Sequence, residues 1–228
     1  MHKIIAIIPA RSGSKAVGHK NIKLLNNKPL MYYTIKAALE SRIFDEVMVS
    51  TDSVDYATIA RASGANVPFL RSAENARDES KNIDVVLEVL ENYAKLDRFF
   101  DAVCVLQPTS PFREACDILG ALELFKTKNQ RGVVSIHEVD DHPILIRQMQ
   151  DHVLKNLLNS QSTLRRQDFP PFYKVNGAIY INKTSDLTKD TSLNDNPIGY
   201  VMSHFNSIDI DTLFDFEIAQ SLIKIRQG

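Results

Sequence analysis

Apolar positions along this chain follow two rhythms that take turns. Residues 3–9 (KIIAIIP) form a short, continuous, β-branched run, the mark of a strand buried on both faces. Pro29 then opens a helix-like stretch that runs to residue 40. Residues 45–51 (DEVMVST) predict a second strand, residues 54–63 a helix ended by Gly64, and residues 67–70 a short strand. Ile83, Val86, Leu87 and Leu90 recur at i, i+3, i+4 and i+7, the spacing of an amphipathic helix. Residues 102–106 (AVCVL) predict another buried strand, closed by a turn at Pro108 and Pro111. Ile118, Leu119, Leu122 and Phe125 make the next helical stripe, and residues 132–136 (GVVSI) the next strand.

This alternation predicts an α/β protein: a Rossmann-like, mostly parallel sheet with helices on both faces. It breaks down between residues 139 and 174, where Asp, His, Asn, Gln and Pro mix with short apolar pieces. That stretch reads as an inserted arm that leaves the main layer, of the kind used in oligomer contacts; a loop is the alternative. The core resumes at residues 177–182 (GAIYIN) and 200–202, and a final helix carries Phe214, Ile218, Leu222 and Ile225 on one face. One domain over residues 1–228 is expected, with the arm inside it.

Composition narrows the class. With 228 residues, 44% of them apolar and 24% charged, the chain is globular and long enough to bury a full core. A net charge of −1 excludes a global basic field, so neither nucleic acid nor a membrane is an expected partner. Cys104 and Cys116 lie in apolar segments without metal-ligand spacing, which predicts two buried, reduced thiols. The first apolar run is too short for a signal-peptide core, and no run approaches the roughly 18 apolar residues of a membrane span. A cytoplasmic protein is expected.

The loop after the first strand holds the densest chemistry. Residues 9–21 (PARSGSKAVGHKN) contain two glycines, two serines, the cations Arg11, Lys15 and Lys20, and Asn21. The loop leaves the carboxyl end of a strand, where open α/β sheets bind ligands. Small residues let backbone N–H groups approach an anion and the cations neutralise it, so a triphosphate is the natural guest. The loop is not a Walker A motif: Gly13 and Gly18 have the separation, but Gly-His-Lys-Asn stands where Gly-Lys-Ser/Thr is required. Near the other end, Asp209 and Asp211 lie two apart in Ile-Asp-Ile-Asp. In an extended segment both project to one side and can meet one hard cation. Capping of the last helix by Thr212 and Asp215 is the competing use of this segment.

The strings IPARSGSK…KN, LQPTSPFR (106–113), His142-Pro143, NGAIYIN (176–182) and SIDIDT (207–212) follow one another in order. Together they resemble the N-acylneuraminate cytidylyltransferases, the CMP-sialic acid synthetases, from residue 3 to about residue 217. The resemblance implies that Arg11 and Lys20 hold the β- and γ-phosphates of CTP and stabilise departing pyrophosphate, with Lys15 sharing that work or facing solvent. It places Ser14, Asn21, Arg71, Asn82 and Gln107 on the nucleotide. It places Gln107, Arg166, Gln167, Lys174 and Tyr180 on an acidic nine-carbon sugar, whose carboxylate calls for a basic fork. Asp209 and Asp211 are the implied magnesium ligands, and Asp211 the implied proton acceptor. This chain departs from the pattern in carrying Asn82 where a serine is expected and Lys174 where an arginine is common; Arg147 is the nearest cation after His142-Pro143.

The implied activity is transfer of CMP from CTP to a nonulosonic acid, N-acetylneuraminate foremost, with legionaminate, pseudaminate or deoxy-octulosonate as alternatives. A D-x-D nucleotide-sugar glycosyltransferase and a non-catalytic nucleotide sensor are the rival readings. The resemblance also implies a homodimer in which the 139–174 arm reaches the neighbour, and a chain that carries the transferase unit alone.

Overall fold

Strand β1 (Ile4–Pro9) shows why its run of isoleucines has no polar alternation: both of its faces are covered. Ile4, Ala6 and Ile8 point into one apolar cluster, and Ile5 and Ile7 into another on the opposite side. Each isoleucine so buried contributes about 1.5–3 kcal/mol relative to an exposed one. The computed structural model describes residues 3–13, 17–158 and 170–227.

Two short strands, β2 (Leu24–Leu25) and β3 (Lys28–Pro29), pair as a small antiparallel ribbon ahead of helix α1 (Leu30–Ser41). Strands β4 (Glu46–Ser50) and β5 (Ala102–Val105) flank β1 in parallel. At the far side β6 (Val133–Glu138) runs parallel to β10 (Ile198–Val201). Between the two groups lies β9 (Tyr173–Lys183), antiparallel to both β5 and β6. The sheet order is therefore β10-β6-β9-β5-β1-β4.

Helices cover both faces, as expected. Helix α1, α2 (Val54–Ala62) and α4 (Ala115–Thr127) pack against the larger cluster, and α3 (Asn82–Ala94) against the other. Helix α5 (Leu213–Gln227) closes a third cluster with Leu25, Leu30, Phe112 and Ile210. The inserted arm contributes the hairpin β7 (Arg147–Gln150) and β8 (Val153–Asn156). None of the described helices is long and apolar enough to cross a membrane.

Four expectations are corrected. Residues 67–70 form no strand; a single bridge from Asn66 to Met48 stands there, and Pro68 removes a donor that a ladder would need. The strand expected at 177–182 begins at Tyr173, inside the span assigned to the arm. In α5 the stripe of Phe214, Ile218 and Ile225 faces outward, while Phe216, Ala219 and Ile223 are buried. Apolar residues occupy both sides of this helix, so periodicity alone does not fix its phase. Cys104 is buried, its thiol pushed up to about 12 by burial, but Cys116 is exposed.

The antiparallel strand carries an irregularity that shapes the site. Between the pairs Val134↔Tyr180 and Ile136↔Val175, two steps along β6 are matched by five along β9. The extra residues lie at Asn-Gly-Ala, and their polar groups are satisfied by side chains. Asn176 Oδ1 accepts from Ser135 Oγ at 2.5 Å and from the Ala178 N–H at 3.1 Å. Ser135 Oγ in turn accepts from the Ile179 N–H at 2.8 Å. Asn176 Nδ2 donates to Ser207 Oγ at 2.9 Å, and Arg113 Nη1 donates to the Ala178 carbonyl at 2.8 Å.

Replacing Asn176 by alanine orphans several buried groups at once. At about 1–3 kcal/mol for each unsatisfied group, Asn176→Ala is expected to lower unfolding stability by ~2–4 kcal/mol. Urea denaturation with an unchanged m-value is the check; a change below about 0.5 kcal/mol, the range of an ordinary surface substitution, would remove the network from the fold's supports.

Candidate active site

The loop after β1 is tied down at both ends. Ser12 donates from its backbone N–H (2.8 Å) and its hydroxyl (2.7 Å) to the Asp52 carboxylate, just beyond β4. Burial works against the charge on Asp52, but the Ser12 donors and the Arg71 guanidinium outweigh it and hold the carboxyl below its usual range. Asn21 is buried and folds the loop back by donating from Nδ2 to the Arg11 carbonyl at 3.0 Å.

Arg71 is buried at the carboxyl end of β4, where Nε donates to Ser50 Oγ (3.0 Å) and Nη2 to the Ser50 carbonyl (2.6 Å). Burial lowers its pKa to about 10, against the opposing pull of Asp52 and Glu88. Arg11 pairs with Asp78 at 2.5 Å. Arg11, Lys20, Asn21, Arg71, Asn82 and Gln107 all line one cleft of about 190 Å³. Six of the predicted nucleotide residues thus meet, and Ser14, the seventh, lies outside the described residues.

Gly177 explains how Gln107 reaches this cleft. Its φ is +75°, and a Cβ there would stand 2.8 Å from Gln107 Oε1. The left-handed backbone favours glycine, and a side chain there would push the Gln107 amide aside.

Lys20 links the cleft to the carboxylates. Its Nζ donates to the Ile210 carbonyl at 2.8 Å and to Asp211 Oδ1 at 3.1 Å. The segment carrying Asp209 and Asp211 is held by Ser207 on Asn176, by the Ile210 N–H on the Thr109 carbonyl (2.9 Å), and by burial of Ile210 itself. Thr212 and Asp215 do form the predicted cap: Asp215 Oδ2 accepts from the Thr212 N–H at 2.7 Å, and its own N–H donates to Thr212 Oγ1 at 3.2 Å. Capping therefore occupies Asp215 and leaves Asp209 and Asp211 to other work.

Asp209 combines a buried, unpartnered oxygen with a carboxyl held above its usual range. Its Oδ1 is buried and has no hydrogen-bond partner among the described residues. Burial raises its carboxyl pKa and Asp211 adds to the rise; a Thr109 hydrogen bond, Lys20 and Lys174 oppose it. Among the described residues no cluster of three or more His, Cys, Asp or Glu forms a ready metal cage. Two carboxylates on one segment, one with an orphaned oxygen, do fit a hard divalent cation whose remaining ligands are phosphate and water.

The expected sugar residues are spread around this centre. Lys174 is exposed on β9, opposite His137 of β6, and shares a cavity of about 280 Å³ with His137, His204 and Asp209. Burial lowers the His137 pKa, with His204 and Lys174 acting the same way. Tyr180 is buried with its hydroxyl on Asn194 Oδ1 at 2.8 Å, and burial pushes it up to about 12. It lines a third cavity, of about 320 Å³, together with Asn82 and Asn194. Arg166 and Gln167 lie outside the described residues. Sequence reasoning missed Asp52, Thr109, and the Arg77 that completes the cleft wall; Ser80, the nearby alternative to Asn82 for the expected serine, lines the cleft together with Asn82. The polar, aperiodic stretch between Arg71 and α3 offers no signal for Arg77.

A family model described as Cytidylyltransferase matches residues 5–215. The chain belongs to the cytidylyltransferase family. Within it, the CMP-N,N'-diacetyllegionaminic acid synthase of Legionella pneumophila is 38% identical over 229 residues, covering 99% of this chain and 98% of that one. The N-acylneuraminate cytidylyltransferase of Escherichia coli O18:K1:H7 is 37% identical over 219 residues; the match spans 95% of this chain and 51% of that protein. A solved CMP:2-keto-3-deoxy-manno-octonic acid synthetase, complexed with CTP, shares the fold with a TM-score of 0.72, over 98% of this chain and 99% of that one at 17% identity. The family resemblance carried by the five motifs and the Rossmann-like α/β fold both hold.

The raised Asp209 carboxyl gives this cytidylyltransferase a stability signature. A folded pKa above the unfolded one means that the native state binds the proton more tightly, so stability falls as pH rises from the unfolded to the folded value. The loss grows with pH until the folded value is passed. Asp209→Asn is therefore expected to raise the thermal midpoint of the free protein at pH 7, with the gain vanishing near pH 3. An unchanged or lower midpoint in calorimetry at pH 7 would show that the Asp209 charge is not under strain.

Proposed function

We propose that this chain transfers CMP from CTP to the anomeric hydroxyl of a nonulosonic acid, releasing pyrophosphate. The observation that carries the reading is Lys20, which joins a cleft walled by Arg11, Arg71 and Arg77 to the carboxylates of Asp209 and Asp211. The cleft takes the triphosphate; Arg11 and Lys20 hold its outer phosphates and stabilise charge on the leaving group. Asn21, Arg71, Asn82 and Gln107 position the rest of the nucleotide, with Ser14 in the same role. Asp209 and Asp211 would hold Mg2+, which would supply neutralisation of phosphate charge and a lowered pKa for the attacking hydroxyl. Asp211, exposed beside Lys20, accepts the proton.

The acid sugar lies on the Lys174 side of Asp209, with Arg166, Gln167, Gln107 and Tyr180 as its further contacts. Near-equal identity to a legionaminate and a neuraminate enzyme supports the nine-carbon class. Within that class N-acetylneuraminate is the first choice for test.

The enzyme acts as a homodimer. On the β7–β8 hairpin Met149 is 68%, Val153 60% and Leu154 63% exposed, although a two-stranded hairpin alone is marginally stable in water. A second copy that covers these side chains supplies the missing packing. A cytoplasmic enzyme fits the use of CTP.

Pyrophosphate release is measured with CTP, Mg2+ and a panel of N-acetylneuraminate, legionaminate, pseudaminate, deoxy-octulosonate and no sugar. Release with one nine-carbon acid, absent with UTP or ATP, is expected; no pyrophosphate from CTP but nucleoside diphosphate release from an added nucleotide-sugar donor would mean a glycosyltransferase, and CTP binding without turnover a sensor. Lys20→Ala should lower kcat/KM by about 100- to 1,000-fold, the scale for loss of one transition-state donor. For assembly, Met149→Glu with Leu154→Lys should shift the sedimentation coefficient from dimer to monomer. A double variant that still sediments as the wild type would move the interface elsewhere.

A further inference from the structure

We propose that His137, braced by His204, is a substrate-selecting residue that hydrogen-bonds an uncharged hydroxyl or acylamino group of the acid sugar. The inference rests on the proposed function and names a contact that the motifs do not assign.

Four observations converge on it. The cavity of about 280 Å³ where the 204–209 segment meets the ends of β6 and β9 includes Asp209 and is walled by Lys174, His137 and His204. Its volume is close to the roughly 300 Å³ at which small-molecule pockets begin. Lys174 offers a charge for the carboxylate, and a sugar held there still presents hydroxyl and acylamino groups that need partners. His137 Nδ1 is buried without a hydrogen-bond partner among the described residues, a costly state unless a ligand satisfies it.

The ring also has an aromatic neighbour. His204 packs edge-on against it, with ring centroids 5.4 Å apart and planes at 68°. Directly before His137, the register of β6 against β9 is broken by the Asn176 bulge, and His137 pairs with Lys174 beyond the break. Bulges beside active sites commonly re-aim side chains in this way. The result is an imidazole on the wall of the cavity that Asp209 and Lys174 share, with one ring nitrogen left without a partner among the described residues.

His137→Phe keeps the ring stack and deletes the nitrogens, whereas His137→Gln keeps a donor and an acceptor. Steady-state kinetics should show KM for the acid sugar raised about ten-fold in His137→Phe, as for loss of one net hydrogen bond. KM for CTP and kcat should each stay within about two-fold, and His137→Gln should recover most of the loss. A purely structural role would move both KM values together and would not be rescued by glutamine.

Histidine-selective 15N NMR supplies a readout free of turnover. Adding N-acetylneuraminate to the protein with CMP should shift the His137 Nδ1 signal, while CMP alone should leave it in place. If pyrophosphate is released normally but His137 does not shift and His137→Phe keeps its sugar KM within two-fold, the inference is overturned. If no sugar on the panel supports pyrophosphate release yet N-acetylneuraminate shifts His137, the contact stands and the transfer reaction is what fails.

Discussion

One side-chain amide holds the site together. Placing an antiparallel strand with three surplus residues in the middle of a buried sheet leaves backbone groups without ladder partners. Each such group would cost about 1–3 kcal/mol if left unpaired. Asn176 replaces the missing ladder: its carbonyl takes the Ser135 hydroxyl and the Ala178 N–H, and its NH2 reaches Ser207. The consequences run in two directions. Toward the nucleotide, the bulge puts the left-handed Gly177 against Gln107; toward the carboxylates, it anchors the segment on which Asp209 and Asp211 stand. The buried Arg113 joins the same system by donating to both the Ala178 and Gln107 carbonyls, at 2.8 and 3.2 Å. Two motifs far apart in sequence, LQPTSPFR and NGAIYIN, are thus one structural unit.

The basic groups of the cleft are held in readiness by partners of different strength. Arg71 is buried and bound to Ser50, and serves as fixed scaffolding. Arg11 on Asp78 is a half-exposed pair, with side chains 32% and 31% exposed, and such pairs contribute only ~0–1 kcal/mol. Lys20 shares itself between a backbone carbonyl and the exposed Asp211. Arg11 is therefore positioned by a weak contact that an anion could outcompete, whereas Lys20, its side chain 13% exposed, is held more firmly. A local gathering of guanidinium and ammonium groups needs no net positive charge on the chain, which stands at −1.

What the sequence revealed follows the same physics. The doubly buried strands β1, β4 and β5 were legible because no polar residue interrupts them. The direction of β9 was not, since an apolar run reads alike in parallel and antiparallel ladders. The phase of α5 was lost because Phe214 and Phe216 offer it two competing apolar faces, and only docking beside Ile210 decides between them. In the site, Arg11, Lys20, Asn21 and Gln107 were legible as parts of contiguous motifs at strand ends. Asp52, Thr109 and Arg77 act through positions that the fold alone brings near, from loops with no period to read.

Three cavities bear on the proposed reaction, and their linings differ in kind. The first, beside Lys20, is walled by Arg11, Arg71 and Arg77; the second, at Asp209, mixes one ammonium with two imidazoles; the third, at Tyr180, sets Asn82 and Asn194 beside Lys81, Lys189 and Asp190. Asp209 belongs to the second cavity and is coupled electrostatically to Lys20 of the first. Asp209 and Asp211 thus stand where the cation-lined cleft and the Lys174 cavity come within electrostatic reach of each other. The orphaned Asp209 oxygen and its raised pKa are the same fact seen twice: a carboxylate kept partly buried at a cost to stability, in the one place where a cation would repay it.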